Sequence, residues 1–128
     1  MIFDTSSLIN LLTEGKIDPL LEEKILDLTL YETSNVLWKM HHIQEKINKK
    51  ELHELLQLLN RLEKEMQVHS PERTETMKIA SEHGITFYDA SYLSAAKNSE
   101  TLITEDTALR KTAEKEEIKT LNATELLE

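Results

Sequence analysis

An α/β three-layer sandwich on a parallel sheet is the fold class this sequence predicts, and three observations predict it. Short apolar runs alternate with longer amphipathic ones along the chain, and such alternation implies parallel strands joined by right-handed helical crossovers. The 128 residues hold two Gly and two Pro, with no repeat, low-complexity tract or linker, so residues 1–128 are expected to form a single domain. Apolar residues make up 39% and charged residues 30%, enough for a core beneath a heavily charged surface.

The elements follow in order. Residues 1–4 read as a strand. Asp4-Thr5-Ser6 then offers N-cap chemistry to a helix carrying Leu8, Ile9, Leu11 and Leu12, which Gly15 stops. A short helix is expected around 19–23 and a brief strand over 24–29, with Ile25, Leu26 and Leu28. Val36, Leu37, Met40, Ile43 and Ile47 fall at helical spacing and predict a helix from about 30 to 47. Leu52, Leu55, Leu56, Leu59 and Leu62 line the apolar face of the next, from about 50 to 64, and 66–69 reads as a strand. Ser70-Pro71-Glu72 predicts a helix start, with Ser as N-cap and Pro at the first helical position; the helix carries Met77, Ile79 and Ala80 and stops near Gly84. Residues 85–87 lead into a helix with Ala90, Leu93 and Ala96. A buried strand over 101–103, a helix over 104–115 and a last strand over 118–121 follow. Asn122 and Glu125 have capping-box spacing for a closing helix.

Composition excludes several chemistries. Without cysteine there are no disulfides, thiolate metal sites or thiol nucleophiles. His41 and His42 are adjacent and the other histidines scattered, so a zinc site is not expected. With glycine only at positions 15 and 84, no phosphate-cradling loop is present. Apolar runs such as Leu55-Leu56 are too short to span a membrane. Met1-Ile2-Phe3-Asp4 has neither a basic leader nor a cleavage signature, so the expected compartment is the cytoplasm. A net charge of −9 argues against a large non-specific nucleic-acid footprint, although Lys46, Lys49 and Lys50, and Arg110, Lys111 and Lys115, form local basic clusters.

Four acids stand out because each sits beside an apolar or aromatic flank: Asp4, Glu32, Asp89 and Asp106. Asp4 and Asp106 each follow a predicted strand and lead into a helix, while Glu32 and Asp89 are expected in first helical turns. In open α/β sheets, ligands bind beyond the carboxyl ends of the strands at the topological switch point. That rule puts all four acids on one side of the sheet. Each taken singly also reads as a cap or first-turn residue that complements the helix dipole. Packed together without a counter-charge they would repel, so convergence makes sense chiefly as a site for a hard divalent cation such as Mg²⁺ or Mn²⁺. Thr104 has two readings, as N-cap of its helix or as a hydroxyl that orients a carboxylate or water.

At these residues the chain resembles the PIN-domain family, most closely its small VapC-type toxins. The resemblance rests on Asp4-Thr5-Ser6-Ser7-Leu8-Ile9, on Leu28-Thr29-Leu30-Tyr31-Glu32 with Asn35, on Tyr88-Asp89-Ala90-Ser91-Tyr92 and on Leu102-Ile103-Thr104-Glu105-Asp106. It implies a five-stranded parallel sheet and a Mg²⁺- or Mn²⁺-dependent ribonuclease with Asp4, Glu32, Asp89 and Asp106 as its acidic quartet. Asp4, Asp89 and Asp106 are then the metal ligands, and Thr5, Ser6, Asn35 and Thr104 support them. It also implies an RNA substrate, a homodimer and a cognate antitoxin protein whose tail occupies the groove. One departure is visible: where family members often carry a further acid and an aromatic after the last motif, this chain has Thr107-Ala108-Leu109, leaving Glu105 as the neighbouring acid.

The leading expectation is therefore a metal-dependent endoribonuclease acting as the toxin of a toxin–antitoxin pair. A housekeeping RNA-processing nuclease of the same fold, or a non-catalytic PIN-like binding module, are the alternatives. A receiver-like phosphoryl-transfer module explains Glu32 and Asp89 less well.

Overall fold

Alternation within three short strands divides the core between two layers. In a computed structural model describing residues 1–98 and 100–128, strands β1 (Ile2–Phe3), β2 (Lys24–Leu26), β3 (Gln67–His69), β4 (Leu102–Ile103) and β5 (Thr120–Leu121) form one sheet. Successive side chains of a strand point to opposite faces. Ile2, Leu26 and Leu102 accordingly pack with Ile79, Leu93 and Leu109 on one side. Phe3, Ile25 and Ile103 pack with Leu8, Leu37 and Leu62 on the other. Helices α4 (Arg73–His83), α5 (Phe87–Ala96) and α6 (Thr107–Lys115) supply the first layer. Helices α1 (Thr5–Thr13), α2 (Asp27–His42), α3 (Lys49–Glu65) and α7 (Ala123–Leu127) supply the second. Each fully buried aliphatic side chain contributes about 1.5–3 kcal/mol, so the two layers hold the sheet from both faces.

All strand pairings are parallel, in the order β3-β2-β1-β4-β5. Register pairs Ile2 with Leu102 and Phe3 with Ile103, which brings the carboxyl ends of β1 and β4 level. The chain runs outward from β1 through β2 to β3, then returns to the other side of β1. The switch point thus lies between β1 and β4. Among the described residues, no helix is long and apolar enough to cross a membrane.

Several boundaries differ from expectation, each for a local reason. Strand β2 ends at Leu26 and α2 begins at Asp27, whose Oδ1 accepts the Leu28 N–H at 2.7 Å. Helix α2 also ends early, at His42, leaving Ile43 exposed; Asn48 and Glu51 then close a reciprocal capping box that starts α3. Helix α4 is capped by Glu72, which accepts from the Thr74 and Glu75 amides, and not by Ser70, whose hydroxyl donates to Asp27. A carboxylate with two oxygens satisfies two free amides where a serine satisfies one. Met77 faces solvent at 54% exposure while Thr76 turns inward. Thr104 is not the cap of α6; Asp106 is, through the Leu109 amide. The short turn near Pro19 is a 3₁₀ turn, Asp18–Leu20. Gly84 ends α4 at φ +64, and Asn122 and Glu125 form the expected box before α7.

Candidate active site

Asp4 is the buried floor of the site. It leaves β1 and caps α1, with its Oδ1 accepting from the Ser7 amide at 2.9 Å and the Ser6 hydroxyl at 2.8 Å. Its other oxygen accepts the Thr104 hydroxyl from the end of β4. Only 5% of Asp4 is exposed. Burial pushes its carboxyl above the ordinary range, and the hydrogen bonds from Thr104, Ser7 and Ser6 offset part of that.

Thr104 ties two motifs together. Besides donating to Asp4, its oxygen accepts the Asp106 N–H at 3.0 Å. Ser6 makes a second tie, its oxygen taking the Glu105 amide at 2.9 Å. The Ser7 hydroxyl donates to the Ile103 carbonyl at 2.7 Å. The loop after β4 is therefore held against the start of α1 by three hydroxyls. Glu105 is half-buried and accepts the Ala123 amide at 2.9 Å, so it serves the start of α7.

Glu32 lies in the second turn of α2, because that helix starts one turn earlier than the sequence suggests. Its Oε1 accepts from the Thr5 hydroxyl at 2.8 Å and the Tyr92 phenol at 2.9 Å. The Tyr92 oxygen also lies 2.7 Å from the Thr29 hydroxyl and 3.2 Å from that of Thr5. Burial, chiefly, with the neighbouring Glu32, raises the Tyr92 hydroxyl above its ordinary value and keeps it a donor.

Asp89 sits in the first turn of α5, whose cap is Thr86. Its carboxyl is raised by burial first, then by the charges of Asp106 and Glu32. The four acids line one cleft of about 310 Å³ together with Thr5, Ser6, Ile9, Val36 and Tyr92. Of the supporting residues expected from sequence, Thr5 and Ser6 line the cleft and Thr104 lies buried behind Asp4. Asn35 instead lines an adjoining groove that shares Glu32. Sequence reasoning missed Tyr92, Thr29 and Ser7 as parts of the network. Helical spacing held the clue for two of them, since Tyr92 lies three residues after Asp89 and Thr29 three before Glu32, on the same helix faces.

Among the described residues, none of the four acids pairs with a Lys, Arg or His. Four carboxylates thus share a cleft with no protein cation among the described residues, and the charges of Asp106 and Glu32 add to burial in raising the Asp89 carboxyl. Oxygen-only donors with unmatched charge fit a hard divalent ion. Glu82, His83 and Glu116 draw ligand atoms within 4.8 Å of one another, which among the described residues no three of the cleft acids do. There, however, His83 contacts Glu116 at 2.7 Å and Lys97 lies 3.3 Å from the other oxygen of Glu116. That cluster already contains its positive charge.

Known proteins resemble this chain in sequence and fold. The model of the PIN domain matches residues 1–115. Exonuclease VapC9 of Pyrobaculum aerophilum is 36% identical over 89 residues, covering 66% of this chain and 62% of that protein. Ribonuclease VapC3 of the same organism is 35% identical over 74 residues, covering 56% of each. The matches therefore span less than two thirds of either relative's length. The crystal structure of PAE2754 from Pyrobaculum aerophilum superposes with a TM-score of 0.78 at 28% identity, over 98% of this chain and 90% of that one. A strand order reversing beside a shared acidic cleft, and a family model matched from the first strand through α6, lead to one conclusion: the chain belongs to the PIN domain family.

Proposed function

We propose that this protein is a metal-dependent endoribonuclease and the toxin of a toxin–antitoxin pair. The observation that carries the reading is the convergence of Asp4, Glu32, Asp89 and Asp106 on one open cleft without a protein cation. The relatives' names, an exonuclease and a ribonuclease, support nuclease chemistry.

Asp4, Asp89 and Asp106 would hold Mg²⁺ or Mn²⁺. When bound, such an ion supplies a more acidic water and stabilises charge on phosphate oxygens. The protein's own part is positional. Thr104, Ser6 and the Ser7 amide fix the Asp4 carboxylate in one orientation. Thr5 and Tyr92 both donate to Oε1 of Glu32, which leaves its second oxygen to accept a proton from the attacking water. Val36 and Ile9 form apolar walls beside the acids. An RNA substrate, a cognate antitoxin that covers the acids, and a homodimer complete the proposal, with residues 1–128 as one domain.

The test is cleavage of a labelled RNA in Mg²⁺ or Mn²⁺, compared with EDTA and with Asp4→Asn. Activity that survives EDTA, or persists undiminished in the variant, removes the mechanism. The name of one relative favours a second reading, removal of nucleotides from an end. A circular RNA separates the two, because only an endonuclease opens it.

A further inference from the structure

Beside the acid cleft runs a second groove, of about 410 Å³, lined by Leu28, Tyr31, Glu32, Asn35 and Tyr88. We infer that this groove is a base-binding subsite, taking a nucleobase of single-stranded RNA against the rings of Tyr31 and Tyr88. The inference rests on the ribonuclease reading for the path of the strand.

The exposure of the aromatics is the first support. Of the three tyrosines, Tyr92 is buried within the acid network, whereas Tyr31 and Tyr88 are 78% and 60% exposed. They come from different helices, α2 and α5, yet line the same groove. Among the described residues Tyr31 pairs with no other aromatic ring, and Tyr88 and Phe87 meet edge to face at 85°, so each tyrosine keeps at least one face without an aromatic partner. Bases stack on such faces with little regard to sequence.

Charge is the second. The chain carries −9, and among the described residues no Lys or Arg lines either the groove or the acid cleft. Attraction for the phosphate backbone, which supplies most non-specific affinity elsewhere, is weak here. Stacking is the remaining source of affinity at this point.

Continuity is the third. Glu32 lines both the cleft and the groove. A strand whose phosphate lies at the acids therefore enters the groove with its neighbouring nucleotide. The exposed Asn35 amide offers a donor and an acceptor to a base edge. The groove is mostly apolar, so a second copy of this chain is the competing occupant; the Glu32 carboxylate and Asn35 amide beside the two rings favour a base, whose edge takes hydrogen bonds.

The experiment measures binding of a fluorescein-labelled single-stranded decaribonucleotide in EDTA, and of the same oligomer with abasic sites. It uses the full chain and the variants Tyr31→Ala, Tyr88→Ala and Tyr31→Phe. Each alanine variant is expected to lose affinity roughly tenfold or more, the scale of stacking on one base. Tyr31→Phe retains affinity and the abasic oligomer loses it. The salt dependence is expected to be shallower than a log–log slope of about −1.4, the value for two neutralised phosphates. Sedimentation of each variant reads the oligomeric state in parallel. Unchanged affinity in both alanine variants overturns the inference, as does a loss of affinity that accompanies dissociation into monomers and vanishes on comparing equal species. A wild-type chain that cleaves RNA while these variants bind normally rejects the subsite and leaves the ribonuclease standing. A chain that cleaves nothing but binds through both rings rejects the ribonuclease and leaves the subsite.

Discussion

The Thr104 hydroxyl donates its proton to Asp4 Oδ2 while its oxygen receives the Asp106 amide at 3.0 Å. One buried side chain therefore sets the orientation of one acid and the position of another, across the two central strands. Thr104→Val keeps the shape and deletes both interactions. Partners of this kind cost about 10–100-fold in metal affinity or activity when removed, and that loss is expected in Mn²⁺ titration and in RNA cleavage. Thr104→Ser restores most of it. Equal activity in the valine variant would show that Asp4 is held well enough by Ser6 and Ser7.

Asp4→Asn separates catalysis from stability. The substitution is expected to lower cleavage by about a hundredfold or more, the upper end of the loss seen for a ligand's partners. Without metal it should stabilise the fold. Because the folded chain holds the Asp4 carboxyl above its unfolded value, it binds more protons than the unfolded chain, and this group's contribution falls as pH rises. The contribution is fully present below the ordinary carboxylate range, about pH 4, and lost through the raised folded value. In EDTA, thermal melts at pH 7 should place Asp4→Asn above wild type, with the gap closing towards pH 4. A variant that melts lower at pH 7 contradicts this.

Adding Mn²⁺ to the wild-type chain should raise its melting temperature with ion concentration, by the linkage of binding to folding. Asp89→Asn should weaken that response and also relieve the repulsion from Asp106 and Glu32 in the ion-free state. The measurement is a melting series in Mn²⁺ against EDTA. An unresponsive wild type would favour a non-catalytic module.

Tyr92→Phe removes the phenol that Glu32 and Thr29 share. A buried group left without its partner costs about 1–3 kcal/mol, expected in chemical denaturation. Glu32 keeps only Thr5, so kcat should fall more than KM changes. A rise in KM at constant kcat would place Tyr92 in binding instead.

Asn48→Ala breaks the reciprocal box at the start of α3, outside the lining of the acid cleft. The expected cost is about 1 kcal/mol in stability, with RNA cleavage unchanged. Lost activity at full stability would make α3 part of the substrate or partner surface.

Much of the fold was legible because it is written in short-range patterns. Leu52, Leu55, Leu59 and Leu62 announce α3 by spacing alone, and Asn122 with Glu125 announces α7. Boundaries were less legible where two polar residues compete for one role. Ser70 and Glu72 both offer a cap to α4, and Thr104 and Asp106 both offer one to α6. Which one wins depends on what else each can bond, and Ser70 and Thr104 found acceptors elsewhere, at Asp27 and Asp4.

The sequence by itself determined the strand–helix alternation, the identity of the four acids and their common side of the sheet, because the carboxyl ends of parallel strands all face one way. Tertiary structure alone decided that β1 and β4 are neighbours, that Thr104 serves Asp4 rather than its own helix, and that Tyr92 reaches Glu32 across 60 residues. It also set Asn35 apart from the cleft and beside Tyr31 and Tyr88. Those choices turn on register and on competition among buried hydrogen-bond partners, which no local spacing encodes.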